Sequence, residues 1–399
     1  MGDGPSGRIS QRFLQSVLSR VETGGLVVEW PDGSSDAFGS TSDPFSASVT
    51  INDVGEVAGA LARSGSLGLA TAYIDGAWDS PDLAGFLELV SLNVDRRQST
   101  GLGSAVAATA RKLWDLRPTF PSDRPIEAIG EHYDLGNDFY ARWLDSTMTY
   151  SSAVFDSYDD GLEAAQGNKY QRLCDQLELQ PGDRILEIGC GWGGFAEYAA
   201  SHYDVTVTGI TLSREMARYA TDRLEAVGMA DRTTILVQDF KDVDGSFDKV
   251  VSIEMIESVD ETQWPALFET IGRVLRPGGI AAMQVIVIDD KYYENLLARR
   301  EFIKTYVFPG GALPTVSVLE GLCASVGLAW AGSSSHGFDY AETLRRWEEG
   351  FNAEWPEIQQ SNPAFDERFK RMWSYYLAYC QAGFRTGLID GIQFSMVST

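Results

Sequence analysis

Histidine and cysteine are scarce in this 399-residue chain, three of the first and four of the second. Cys174, Cys190, Cys323 and Cys380 lie far apart, with none of the short spacings of a metal knuckle, so the sequence predicts reduced, mostly buried thiols and no metal site. Positive charge is also thin. Lys and Arg number 32 against 57 Asp and Glu, a net charge of −25, and such a surface repels a nucleic-acid backbone. No apolar run approaches the roughly 20 residues needed to cross a bilayer. The opening Met1-Gly-Asp-Gly-Pro-Ser6 lacks the charged-then-apolar order of a secretory signal, so a cytoplasmic location is expected. Internal repeats and low-complexity segments are absent.

What is present is apolar material for sizeable cores, 44% of the residues, in a length that suits two or three domains. The segment Arg184-Ile-Leu-Glu-Ile-Gly-Cys-Gly-Trp-Gly-Gly194 is a short apolar run carrying Glu187 and breaking into glycines at 189, 191 and 193. It reads as a strand feeding a nucleotide-binding turn, with a helix N-terminus from Phe195 onward. One such motif is equally a structural turn, but its surroundings repeat a βαβ pattern. Val205 to Ile210 is a β-branched run, Ser213 caps a predicted helix through Val227, and Thr233 to Val237 is a strand. Phe247 to Ile253 is a fourth strand, Trp264 to Leu275 an amphipathic helix closed by Arg276-Pro-Gly-Gly279, and Ile280 to Ile288 a fifth strand.

The fold class expected is therefore α/β, a doubly wound parallel sheet of Rossmann type whose ligands sit at the carboxyl ends of the strands. That rule singles out Glu187 to Gly193, Gly209 to Ser213, Gln238 to Phe240, Glu254 to Ser258 and Gln284 to Ile286. The glycine spacing favours S-adenosylmethionine over NAD, without excluding NAD.

The first 125 residues differ in texture. Gly24 to Phe38 reads as a hairpin around Pro31-Asp-Gly33, and Ser46 to Ile51 as another strand, giving a smaller α+β domain over residues 1–125 before a larger one over 126–399. Between Arg96 and Arg117, five basic residues (Arg96, Arg97, Arg111, Lys112, Arg117) face one acid, Asp115. This local excess inside an acidic chain, around the helix-compatible Ala105 to Trp114, suits an anionic membrane surface. Ile9, Phe13, Leu14, Val17, Leu18 and Val21 form a second apolar stripe beside Arg8, Arg12 and Arg20. Packing against the rest of the protein explains either stripe equally well.

The segment Glu131-His-Tyr-Asp-Leu-Gly-Asn-Asp-Phe-Tyr140, followed by Leu144-Asp-Ser-Thr-Met-Thr-Tyr-Ser-Ser-Ala153, has no regular period and suits a loop folded over a ligand. With Asp75-Gly-Ala-Trp-Asp-Ser-Pro-Asp-Leu83, Leu186-Glu-Ile-Gly-Cys-Gly-Trp-Gly193, Gly209-Ile-Thr-Leu-Ser213, Phe308-Pro-Gly-Gly-Ala-Leu-Pro314 and Arg368-Phe-Lys-Arg-Met372, the chain resembles the cyclopropane-fatty-acyl-phospholipid synthases and mycolic acid methyltransferases. The resemblance implies a class I methyltransferase sheet with a helical lid and an acyl-channel insertion at about 289–325. It also implies methyl transfer from S-adenosylmethionine to a cis double bond of a phospholipid acyl chain, through a carbocation. Cofactor contacts fall by motif on Tyr150, Ser151, Glu187, Gly189, Gly191, Gly193, Thr211, Leu212, Gln238, Asp239 and Phe240.

A bicarbonate ion serves as the base in the family this chain resembles, and its holders fall on Glu257, Gln284, Tyr340, Ser152 and Ile286. Ser152 stands where relatives have cysteine, Gln284 where they have histidine, Ser258 where many have histidine, and Met216 where a ribose-binding Gln is common. The changed anion site and Ser252-Ile-Glu-Met-Ile-Glu257 look more like the actinobacterial methyl-branching members of that family than the enterobacterial ring-formers, so both products stay open with a slight lean toward a methylene branch, which a separate reductase can saturate, over a cyclopropane. Association with the inner face of the membrane and a homo-oligomer are further implications. A methyltransferase acting on a soluble small molecule is the alternative. Each residue also has a plainer role open to it: Glu257 as a helix-cap carboxylate, Tyr340 and Tyr150 as packed aromatics, His132 as a structural hydrogen-bonder. His202 and His336 are expected to be structural or exposed, and the aromatic C-terminal stretch from Trp347 to Tyr379 mostly core.

Overall fold

The computed structural model describes residues 5–42, 45–99, 135–297 and 302–399. The chain divides into two compact units. His132, Arg111, Lys112 and Arg117 lie outside the described residues, as do the side chains of Arg96 and Arg97, so the basic membrane-facing segment expected from the sequence has no structural description.

The first unit takes residues 1–130, 300–309 and 359–386. Its sheet runs in the order β2-β1-β3-β4, where β1 is Gly25–Glu29, β2 Ser35–Gly39, β3 Ser46–Ile51 and β4 Trp78–Asp79. The β1–β2 hairpin turns at Pro31-Asp-Gly33, where Gly33 sits at φ 82°, a left-handed conformation that favours glycine. The apolar stripe of helix Pro5–Leu18 divides: Leu14 is buried, whereas Ile9 and Phe13 are exposed. Sequence reading assigns everything after residue 125 to the larger domain, yet helix Glu367–Arg385 belongs to this unit. Arg371 accounts for that: its guanidinium donates to the carbonyls of Tyr73 and Trp78 at 2.5 and 2.8 Å, pairs with Asp79 at 2.7 Å and lies 4.1 Å from the centre of the Tyr73 ring.

The second unit takes residues 131–299, 310–358 and 387–399. Its seven-stranded sheet has the order β10-β11-β9-β8-β5-β6-β7, with β5 Arg184–Ile188, β6 Thr206–Thr211, β7 Thr233–Val237, β8 Phe247–Ile253, β9 Leu275–Ile288, β10 Leu328–Ser335 and β11 Ile389–Ser398. Strands β5 to β9 are parallel neighbours, while β11 runs antiparallel to both β9 and β10. Successive side chains point to opposite faces, so Leu186 and Ile188 join Trp264, Leu267, Phe268 and Ile271 on one face while Ile185, Val207 and Val251 meet Leu173, Phe195 and Leu224 on the other.

Helix Arg214–Ala226 begins at Ser213, whose Oγ accepts from Met216 N at 3.2 Å. Arg276-Pro-Gly-Gly279 does end a helix, as expected, but it is also the start of β9, held by an Arg276–Asp248 ion pair of 2.7 Å. The chain runs outward from β5 through β6 to β7, then returns to β8 on the other side. Crevices in such sheets open at that reversal, outside the carboxyl ends of β5 and β8.

Replacing Arg371 with Met keeps the apolar stem and removes its charge-assisted hydrogen bonds. This should lower unfolding stability by about 2–3 kcal/mol in denaturant titration. Wild-type stability would mean that the helix docks by apolar contact alone.

Candidate functional site

At the reversal, β5 ends in Ile188 and the chain turns through Gly189, Gly191 and Gly193, all at positive φ. A Cβ on Gly189 would stand 2.7 Å from Met255 Cγ, whereas one on Gly191 would enter open space. Gly193 caps helix Gly194–His202. These turns border a cavity of about 210 Å³, closed on its other sides by Tyr150, Ser151, Thr211, Leu212, Gln238 and Phe240. Glu187 and Met216 also line it. Asp239 and Gly193 stand beside it: the Asp239 carboxylate accepts from Lys241 N at 2.9 Å, an internal turn cap. The 135–153 segment folds toward the glycine turn, where Trp192 Nε1 donates to Asn137 Oδ1 at 2.8 Å.

S-Adenosylmethionine fits these residues. The glycine turn offers free space against bare backbone, and Glu187 Oε2 is a buried acceptor with no partner among the described residues, a match for the ammonium or hydroxyls of that cofactor. Burial pushes the Glu187 carboxyl up to about 8, against the lowering effects of Lys169, the Ala196 amide and Arg223. Lys169, fully buried, donates from Nζ to Ser151 Oγ at 2.6 Å, and desolvation brings it down to about 7 despite the nearby Glu254, Asp145 and Glu187.

The five candidate catalytic residues divide between two glutamates. Ile286 N donates to Glu257 Oε1 at 2.5 Å, while Glu257 Oε2 is buried without a partner among the described residues. Ser152, Gln284 and Tyr340 converge instead on Glu254, a residue that the sequence pattern places at a strand end without marking it as catalytic. Its Oε1 accepts from Ser152 N at 2.9 Å and from Gln284 Nε2 at 2.7 Å, and its Oε2 from Tyr340 OH at 2.6 Å. Glu254 lines the cofactor cavity as well, alongside Met255 and Ser258.

The missed signal was positional: β8 stops at Ile253, so Glu254 is the first residue past the strand, where site residues of such sheets belong. Its backbone is left-handed at φ 48°, uncommon for a non-glycine residue and concentrated at functional sites. Burial pushes both carboxyls up, Glu257 to about 8 with the neighbouring Glu254 adding to the rise. Glu254 has opposing influences from Tyr340, Gln284, Lys169 and the Ser152 amide, which favour its charged form, whereas Glu257 has only backbone donors against burial and the neighbouring Glu254.

Behind Tyr150 stands an aromatic group. Tyr140, Trp143 and Trp347 lie 5.3, 5.7 and 5.2 Å from its ring, and Tyr340 is 6.4 Å from Trp347. Of the histidines, His202 is exposed and stacks on Tyr198, and His336 is buried at the β10–β11 edge, pushed down to about 3 by desolvation. The four cysteines are free thiols, three of them buried.

Gly191→Val fills the open space beside the turn and strains a left-handed position. Calorimetry should show S-adenosylmethionine binding weakened at least about 10-fold, or 1.4 kcal/mol, with the thermal transition retained. Unchanged affinity would place the cofactor elsewhere.

Comparison with known proteins agrees with this geometry. The family described as mycolic acid cyclopropane synthetase is matched over residues 121–394. The tuberculostearic acid methyltransferase of Mycobacterium tuberculosis is 35% identical over 99% of this chain and 93% of its own length. The cyclopropane-fatty-acyl-phospholipid synthase of Escherichia coli is 37% identical over 81% of each chain. A solved mycolic acid cyclopropane synthase in complex with SAH and CTAB superposes with a TM-score of 0.63 at 29% identity, over 67% of this chain and 96% of that one. With the sheet order, the glycine turn and these matches in agreement, the chain belongs to the mycolic acid cyclopropane synthetase family and is an S-adenosylmethionine-dependent methyltransferase.

Proposed function

We propose that the protein methylates the cis double bond of an unsaturated phospholipid acyl chain, by way of a carbocation, and yields a methylene-branched product in preference to a cyclopropane. The observation that carries this reading is the wall of the cofactor cavity, where Tyr150 and its aromatic neighbours adjoin a buried carboxylate. S-Adenosylmethionine supplies an electrophilic methyl group on a positively charged sulfur. A carbon–carbon double bond is a weak nucleophile, so the chain's residues must exclude water, hold the alkene in line and stabilise the cation that follows. Aromatic faces attract cations, and Tyr150, Trp143 and Trp347 are suited to that work. Among the five residues carried over by motif, Gln284 and Tyr340 orient a carboxylate, and Glu257 ties the Ile286 backbone to the 254–258 turn.

The relatives support a lipid substrate: one is named a cyclopropane-fatty-acyl-phospholipid synthase and another a tuberculostearic acid methyltransferase. Among the described residues no helix is long and apolar enough to cross a membrane. In this reading acyl chains are reached by peripheral association, for which the basic residues between Arg96 and Arg117 are the candidates. A reductase acting on the methylene product and assembly into a homo-oligomer belong to the same reading. A soluble small-molecule substrate would leave that basic segment without a purpose.

Lipids from an oleate-fed host expressing the protein should gain acyl chains one CH2 heavier, with olefinic signals of a branching =CH2 group rather than high-field cyclopropyl signals in proton NMR. Unmodified lipid would overturn the proposal, and cyclopropyl signals would reverse the preferred product. Reversing Arg111 and Lys112 to Glu should weaken co-sedimentation with anionic vesicles, at about 1 kcal/mol per charge removed from the surface, and leave cofactor affinity unchanged. Equal sedimentation would assign membrane contact to another segment.

A further inference from the structure

We infer that this chain carries its own base: the Glu254 carboxylate occupies the place of the bicarbonate that the family resemblance implies, and accepts the proton that leaves the methylated acyl chain. The inference rests on the lipid reading above for its substrate, and on hydrogen-bond accounting for the site.

The implied anion site needs donors from Ser152, Gln284, Tyr340 and Ile286. In the structure every one of those hydrogens is spent. The Ser152 amide and the Tyr340 hydroxyl go to Glu254, and the Ile286 amide goes to Glu257. Of the two amide hydrogens on Gln284, one goes to Glu254 Oε1 and the other to the Ser152 carbonyl at 3.1 Å. A separate anion would face the Glu254 carboxylate with no donor left to hold it, so bicarbonate does not fit this pocket.

The arrangement is fixed from behind. Gln393 Nε2 donates to Gln284 Oε1 at 2.9 Å, which sets the amide so that its NH2 points at Glu254. Thr343 Oγ1 accepts from Ala153 N at 3.1 Å, and Gln166 Nε2 donates to the Ser151 carbonyl at 3.0 Å, pinning the 151–153 loop that presents the Ser152 amide. Glu254 N donates to the Gln284 carbonyl at 2.8 Å, which holds the left-handed turn. A carboxylate offers about four lone-pair directions. Three are taken, two on Oε1 and one on Oε2, which leaves Oε2 one direction for a proton.

The step balances without a further reactant. For a branch, a hydride first shifts with its electron pair from the methyl-bearing carbon to the neighbouring cationic carbon; one C–H bond of the new methyl group then breaks, its electron pair becomes the C=C of the branch (or, without the shift, the closing bond of a ring), and the proton forms an O–H bond on Glu254. The neutral acid returns its proton to water before the next turnover.

The test compares wild type with Glu254→Gly, a substitution that the left-handed backbone accepts. Labelled bicarbonate, followed by carbon NMR, should bind the variant and not wild type, a readout independent of the lipid substrate. Turnover of wild type on unsaturated phospholipid vesicles should be the same in CO2-free and bicarbonate-containing buffer. In CO2-free buffer Glu254→Gly should lose about 100-fold or more, a typical contribution of a general base, and recover in part when bicarbonate is added, with S-adenosylmethionine affinity retained. Bicarbonate binding by wild type, loss of wild-type activity on CO2 removal, or full CO2-free activity in Glu254→Gly would each overturn the inference.

Discussion

A buried carboxylate that must be held by several donors at once is the constraint around which this methyltransferase is arranged. Glu254 leaves the end of β8 and gathers one donor from the 151–153 loop, one from β9 and one from helix Gly337–Ser361. Burying a charge without such partners costs far more than a domain can spare. The three segments are therefore not interchangeable supports. Their positions are set by the same interaction that gives the site a charged group beside the cofactor cavity.

The rest of the second unit can be understood from that requirement. Strand β11, antiparallel to β9, delivers Gln393 to the amide of Gln284. Lys169 brings the opposing positive charge from helix Leu162–Leu177, its own ionisation made costly by burial. Glu257, three residues beyond Glu254, is pushed up to about 8 by burial and tied to the Ile286 backbone, so one short turn holds two buried carboxyls in unlike surroundings. Environments that push two neighbouring carboxyls apart are how a site assigns them different work.

Much of this was legible in the sequence where local chemistry decides it. The β-branched run Thr233–Val237, the strand Phe247–Ile253 and the Ser213 cap appear where the pattern predicts them, because period and capping are local properties. The ligand-facing ends of β5 and β6 also followed from topology alone, and Gly189, Gly191, Thr211 and Leu212 line one cavity. What the sequence left open depends on distant contacts. An amphipathic stripe says that helix Glu367–Arg385 packs but not against what, and only the Arg371 contacts with Tyr73, Trp78 and Asp79 assign it to the first unit. Likewise, two glutamates three residues apart cannot be ranked by spacing. Glu257 carried the familiar motif position, whereas the donors that decide the matter come from 102 residues before Glu254 and from 30 and 86 residues after it.

Whether Glu254 itself fills the anion position is decided by a crystal structure of the protein with S-adenosylhomocysteine, grown in concentrated bicarbonate. Continuous density is expected from the Glu254 side chain to a carboxylate within hydrogen-bonding distance of Ser152 N, Gln284 Nε2 and Tyr340 OH, with no separate ion. A discrete planar anion on those three donors, with the Glu254 side chain turned away, would contradict it.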